Sequence, residues 1–188
     1  MSKPHALDIE LYRAELKKAL NAARQQDLYQ TIVDAPFYDR TMTARMGLGI
    51  VVLLLVNHQD KTIDRIALAR TDLAQGTLDM SAKPFKDIRI PLNNHENYIA
   101  VAIRRKHHMA TSDWQYLFVP ALTPEEARMN QAGGGIAGSV IYPLDDTGST
   151  GAMIFSYYEP LDRIEKYQHS FMSFYAQLAG KMIKKQAD

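Results

Sequence analysis

The sequence predicts an α+β domain: a mainly antiparallel sheet flanked by helices, opened and closed by N- and C-terminal helices with apolar seams that must pack on a partner. Three observations carry this. Apolar segments at 49–56 and 63–70, and again at 139–144 and 151–158, are separated by short polar loops, the pattern of antiparallel hairpins. Helical periodicity opens the chain and closes it. Between the hairpins, short strands alternate with helices, so the order reads helix, hairpin, strand, helix, strand, helix, hairpin, helix.

Residues 8–33 place Ile9, Tyr12, Leu16, Ala19 and Ala23 at three- and four-residue steps, with Glu10, Arg13, Lys17, Lys18 and Arg24 on the other faces. Asp8 is the expected N-cap, and Pro36 ends the pattern. Residues 1–33 are therefore expected to form a helical extension to a domain spanning 34–188. Their apolar seam needs a partner, either the chain's own terminal helix or a second subunit. A short helix is expected over 37–46. The run LGIVVLLLV at 48–56 is apolar on both faces and reads as a central strand. Its hairpin partner mixes Ile63, Ile66 and Leu68 with Asp64, Arg65 and Arg70, so it belongs nearer an edge.

Residues 71–86 show no clear period and read as a loop. DIRIPL at 87–92 alternates as a short strand. A helix is expected from Asn94 to Lys106, with Tyr98, Val101, Ala102 and Arg105 at helical steps. A short strand over 109–111 follows, and 116–120 stays ambiguous between helix and strand. Thr123-Pro124-Glu125-Glu126 is a helix start: a capping hydroxyl, proline at the first position and acids in the first turn. The closing helix, about 161–185, carries Ile164, Tyr167, Phe171, Phe174, Leu178 and Met182 on one stripe.

Composition narrows the function classes. The 188 residues allow one ordinary domain, and 46% apolar with 23% charged residues is globular composition. A net charge of +1 gives no electrostatic reason to expect a nucleic-acid or membrane-surface partner. The longest apolar run is about half of a bilayer span, so no membrane insertion is expected. The N-terminal residues lack the features of a signal peptide. Cysteine is absent, which removes disulfides, thiolate metal sites and thiol nucleophiles. That suits a cytoplasmic protein.

Two motifs compete for a catalytic meaning. Gly133-Gly134-Gly135-Ile136-Ala137-Gly138 spells G-x-G-x-x-G, but a dinucleotide site needs a strand before it and a helix after it. Here a helix precedes and a strand follows, so the glycines read as a helix-to-strand connection passing close to a neighbour or a ligand. Asp146-Thr147-Gly148-Ser149 spells the aspartic-protease D-T-G-S. That chemistry needs two aspartates sharing a proton, and a polar turn explains one copy better. The six histidines, His5, His58, His95, His107, His108 and His169, show no helical metal-pair spacing, and adjacent His107 and His108 are expected to diverge. No metal site is expected. Arg104-Arg105-Lys106-His107-His108 ends a helix, where cations complement the dipole.

The order of strands and helices, with MGLGIVVLLLVN, DIRIPL, NYIAVAIRRKHHMATSD, SVIYPL followed by GAMIFSYYEP, and the closing FMSFYAQLAGKMI, resembles a GAF domain from about Gln26 to Gln186. GAF domains are small-molecule-sensing relatives of the PAS fold. The resemblance implies a six-stranded antiparallel sheet with helices on both sides. It also implies a ligand cavity between one sheet face and residues 112–135, and terminal helices that bundle and dimerise. Without cysteine, the thiol chemistry of the free-methionine-sulfoxide-reductase members and thioether bilin attachment are excluded. The cyclic-nucleotide signature has no counterpart, and His95 or His107 offers only a weak haem ligand, so the cofactor stays unknown.

The expected function is a sensory or regulatory domain that binds an unidentified small molecule and signals through its terminal helices as a homodimer. Trp114, Tyr116 and Phe118 are the expected apolar walls, with Asp113 and Arg128 as orienting charges. The alternative is a scaffold that only dimerises, its cavity filled by Met129, Met153 and Phe155. A non-catalytic role is favoured, but a catalytic site assembled across the fold leaves no linear motif, so that reading stays open.

Overall fold

The computed structural model describes residues 6–187. Its centre is a six-stranded antiparallel sheet in the order β3-β2-β1-β6-β5-β4. The strands are β1 (Leu48–Asn57), β2 (Thr62–Leu68), β3 (Arg89–Pro91), β4 (Met109–Thr111), β5 (Gly138–Pro143) and β6 (Gly151–Tyr157). Both hairpins form as expected, and the doubly apolar β1 lies beside β6 at the sheet centre.

Two helical layers cover the sheet. On one side lie α1 (Ala6–Ala22), α2 (Leu28–Asp34), α3 (Arg40–Met46) and α8 (Lys166–Ala187). Tyr12, Leu16 and Leu20 of α1 are buried against Phe171, Met172 and Tyr175 of α8 and against Val51, Leu53 and Phe155 of the sheet. Burying each such side chain contributes ~1.5–3 kcal/mol. The α1 seam thus meets the chain's own terminal helix, and the helices within the expected 1–33 extension share this core. Polar anchors set the register: Tyr12 Oη donates to Pro36 O at 2.5 Å, Tyr175 Oη to Ile32 O at 2.8 Å, and Gln168 Nε2 to Met46 O at 2.6 Å.

On the other side lie α4 (Asp72–Asp79), α5 (Tyr98–Arg105), α6 (Gln115–Phe118) and α7 (Pro124–Gly133). Ile50, Val52, Leu54, Ile63, Ile90, Ile99, Trp114, Leu117, Phe118 and Ile154 form their core. Side chains alternate across a strand, so β1 and β6 supply both layers in turn: Val52 and Leu54 to this one, Val51 and Leu53 to the other.

Several expectations shift. The segment 71–86, read as a loop, contains α4, started by Thr71 Oγ1 accepting from Ala74 N at 3.1 Å. Asp8 lies in the first turn of α1 rather than before it. The first helix breaks at Ala22 and resumes at Leu28 after a 3₁₀ turn over Gln25–Asp27. The helix expected from Asn94 begins at Tyr98 with Asn97 as cap, its carboxamide oxygen accepting from Ile99 N and Ala100 N. The closing helix begins at Lys166, and its buried line is Phe171, Met172, Tyr175, Ala176, Ala179 and Ile183, with Phe174, Leu178 and Met182 half-buried beside it. The ambiguous 116–120 segment includes the end of a single helical turn, α6.

Candidate functional site

The layer between the sheet and α4–α7 holds a few polar groups set among apolar side chains. Trp114 is 4% exposed, and its indole Nε1 donates to Ser139 Oγ at 2.8 Å. Ser139 Oγ lies 2.8 Å from Ser156 Oγ on the neighbouring strand. This three-member chain crosses β5 and β6 on the face that also carries Ile141 and Ile154. Asn97 ties α5 to the next segment, its Nδ2 donating to Leu117 O at 2.6 Å and Val119 O at 3.1 Å.

The roof is set by glycine. A Cβ on Gly76 of α4 would lie 2.3 Å from Gly133 O of α7, and one on Gly133 would lie 2.4 Å from Gly76 O. Backbones approach here at a distance that only glycine permits. Gly135 then leaves the helix at φ +60°. The G-x-G-x-x-G letters therefore join α7 to β5 and seat α7 on α4.

The five sequence-predicted site residues fall in three places. Trp114 and Phe118 meet edge-to-face at 5.3 Å inside the buried layer. Tyr116, 42% exposed, stacks on Tyr98 at 5.0 Å and lines an open groove of about 480 Å³ with Asn94, Asn97, Gln115 and Pro124. Asp113 and Arg128 pair at the surface, with Arg128 Nη2 and Nε donating to Asp113 Oδ2 at 2.8 and 3.0 Å. Slight burial opposes ionisation of Asp113, but the hydrogen bonds from Arg128 and from Gln115 hold its carboxyl below the usual range.

Arg65 is the polar residue that sequence reasoning passed over. It reads as an edge-strand polar position, yet it is only 7% exposed. Its guanidinium carbon lies 4.0 Å from the Phe85 ring centre and 4.9 Å from that of Phe118. Its Nε is buried without an acceptor. Among the described residues no carboxylate pairs with it. Two cation–π contacts supply ~0.5–2 kcal/mol each, against a desolvation cost of several kcal/mol for an unpaired ion. Burial lowers its pKa to about 9, so it remains a cation at neutral pH. Pairing of Leu54 with Arg65 is followed by a register shift that skips Ile66. The signal in the sequence is Ile63-x-Arg65, which puts the arginine on the buried face of Ile63.

The remaining motifs are structural. In the D-T-G-S turn it is Asp145, one residue earlier, that organises the loop. Its Oδ1 accepts from Thr147 N at 2.9 Å and Gly148 N at 2.6 Å, Thr150 Oγ1 donates to its Oδ2, and Lys184 Nζ of α8 lies 3.1 Å away. Asp146 is exposed. The expected divergence of His107 and His108 is incorrect: their rings stack at 4.4 Å, and His108 also stacks on Tyr142 at 5.0 Å. Lys106 at φ +56° turns the chain at the end of α5, so strand-like alternation does not apply there. Burial first, then His107 and His169, lowers the His108 pKa. Tyr142 Oη and His169 Nδ1 lie 3.0 Å apart. His5 lies outside the described residues. Among the described residues no group of three or more His, Asp or Glu is placed to hold a metal ion, and no helix is long and apolar enough to cross a membrane.

No family model matches the sequence, and no curated protein matches it. Solved structures do match the fold. The GAF domain of a phosphoenolpyruvate-protein phosphotransferase from Coxiella burnetii superposes with a TM-score of 0.68 at 13% identity, over 97% of this chain and 96% of that one. A segment of a methyl-accepting chemotaxis protein gives 0.57 at 12% identity, over 93% and 96%. The free methionine-R-sulfoxide reductase from Neisseria meningitidis gives 0.60 at 11% identity, over 100% and 98%. With no cysteine in this chain, that last likeness is one of fold and not of thiol chemistry. A six-stranded antiparallel sheet between two helical layers, matched over nearly the whole length of GAF domains, gives this chain the GAF fold.

Proposed function

We propose that the chain is a sensory or regulatory domain that binds a small molecule between the sheet and α4–α7 and passes the result to its terminal helices. The observation that carries this reading is the pair of layers built on shared strands. Val52, Leu54 and Ile154 face the proposed chamber, while Val51, Leu53 and Phe155, their immediate neighbours, face α1 and α8. A ligand that displaces β1 or β6 therefore changes the surface on which the terminal helices rest, and it need only bind one arrangement better than the other. Trp114 and Phe118 serve as inner walls, Tyr116 as the outer wall, and the Asp113–Arg128 pair as the polar rim. One solved segment of a methyl-accepting chemotaxis protein with a similar fold supports the sensory reading by analogy.

The protein acts as a homodimer in this proposal. Because Tyr12, Leu16 and Leu20 are buried within the chain, its dimer surface uses the opposite face of α1, where Leu11 is 59% exposed. A second reading, a scaffold that only dimerises, draws support from the fullness of the inner layer, where Leu117 and Phe118 are at most 2% exposed. Met153 and Phe155 face the terminal helices and Met129 is exposed, so those three do not fill the chamber. Native mass spectrometry of the purified protein, repeated after denaturation, separates the two. A released small molecule supports the sensor; a dimer that releases nothing and binds nothing supports the scaffold.

A further inference from the structure

We propose that Arg65 is the recognition group for the oxyanion of a small organic acid, a carboxylate or phosphate monoester on an apolar or aromatic body, taken up from the side of Phe85. This deepens the small-molecule reading above and rests on it. Arg65 is more than nine-tenths buried, its Nε has no acceptor, and no acid among the described residues pairs with it. Asp64, Asp60 and Asp34 are committed elsewhere, and exposed Asp72 and Asp87 make no pair with the guanidinium. Asp64 accepts from Thr62 Oγ1 at 2.7 Å and lies 4.0 Å from Arg89, Asp60 lies 3.5 Å from Arg89, and Asp34 lies 3.4 Å from Arg70.

The surroundings define what fits. Phe85 and Phe118 are near enough to cover the guanidinium, so its in-plane N–H edge is where a ligand gains most. A guanidinium fork matches a planar or tetrahedral oxyanion through two parallel hydrogen bonds. One uncompensated cation suits one anionic group, and apolar walls suit an apolar remainder. Access is at hand as well. Phe85, half-buried in the 3₁₀ turn Phe85–Asp87, lines an open depression of about 590 Å³ together with Ile66, Ala74, Leu78 and Lys86. The same ring therefore covers the guanidinium and forms a wall of that depression, whose lining carries Lys86 and Arg70 together with Asp72.

The test uses the full chain with sodium benzoate and phenyl phosphate as probes, benzyl alcohol as the neutral control, and sodium chloride at matched ionic strength. Calorimetric titration and thermal unfolding are read in parallel. At least one acid is expected to bind the wild type and raise its unfolding midpoint beyond the chloride effect, with benzyl alcohol inactive. Arg65→Met is expected to weaken that acid's binding ~tenfold or more. It should unfold at the same or a higher temperature, because an unpaired buried charge is gone. Arg65→Lys keeps the charge without the fork and should bind between the two, which holds the test open should the methionine variant fold poorly. Equal affinity in wild type and Arg65→Lys, or no response to either acid beyond chloride, overturns the proposal. A neutral molecule released in native mass spectrometry while both acids fail also overturns it, and leaves the sensory reading standing.

Discussion

Replacing Gly76 by alanine probes the contact that seats α7 on α4. The added Cβ would lie 2.3 Å from Gly133 O and 3.1 Å from Gly133 C, where ordinary contact begins at 3.4 Å. Both obstacles are backbone, so no side chain can rotate away, and the helices must part by about 1 Å. Overpacking of this kind costs ~1–3 kcal/mol, and a rigid backbone obstacle puts the site at the upper end. Alanine recovers about 1 kcal/mol of helix propensity. The net expectation is a loss of about 2 kcal/mol, or roughly 4–8 °C in midpoint for a chain of this size. Urea unfolding followed by circular dichroism measures it.

Two controls fix the interpretation. Gly133→Ala faces the same gap from the other side, 2.4 Å from Gly76 O and 2.5 Å from Met80 Cγ. Once one substitution has opened the gap the second costs less, so the double variant should lose less than the sum. Gly135→Ala meets nothing within 4 Å but sits at φ +60°. It should cost ~1–2 kcal/mol through backbone strain alone and add to Gly76→Ala nearly independently. A Gly76→Ala protein as stable as the wild type, or more so, would refute the close-approach account and return the segment to a plain flexible connection.

Other expectations follow from single groups. Tyr157 Oη is buried without a partner, so Tyr157→Phe should raise stability by about 1 kcal/mol in urea unfolding; a loss would reveal a bond to that hydroxyl. Trp114→Phe breaks the Nε1–Ser139 bond and should cost ~1–2 kcal/mol, with a non-zero coupling to Ser139→Ala in a double-mutant cycle; strict additivity would show that the bond contributes nothing. Burial opposes the charge on Asp145, but hydrogen bonds from Thr150, Thr147, Lys184 and Gly148 outweigh it and hold the carboxyl well below the usual range. Its folded pKa is below its unfolded one, so the stabilisation is complete above pH ~4 and fades as the pH falls below that. Asp145→Asn should flatten the acid limb of the stability–pH curve, and an unchanged limb would count against the assignment.

The strand pattern was legible because it depends on short-range alternation. LGIVVLLLV has no polar face to expose, so it had to lie centrally, and β1 does. Thr123 and Pro124 announced α7 for an equally local reason, and the capping box closes through Glu126. α4 was hidden because Gly76 and polar Gln75 and Asp79 dilute its period, and its glycine serves a contact with α7 that no local pattern reveals. Trp114 and Phe118 were legible as aromatic, but whether an aromatic residue lies inside or at a mouth depends on α6 being a single turn. Arg65 was obscured by the skipped residue at Ile66, which re-aims the strand just where the mixed sequence suggested an edge.

That same irregularity bears on how one layer can influence the other. Arg65 sits on the α4–α7 side, paired with Leu54, while Ile66 and Ala67, the next two residues, both pack in the layer of the terminal helices. Beyond them β2 is tied to α2: Gln30 Nε2 donates to Leu68 O at 3.0 Å, and Arg70 N donates to Asp34 Oδ1 at 2.9 Å. α2 in turn holds α8 through the Tyr175 hydroxyl on Ile32 O. A displacement at Arg65 is therefore joined, through a few residues of strand and two sets of hydrogen bonds, to the helix that closes the chain. β2 pairs with β1 over six positions, whereas the two edge strands, β3 and β4, each pair over only three residues. If the chamber is read out at the terminal helices, the β2–α2 connection is the mechanically sound route, and Arg65 stands at its entrance.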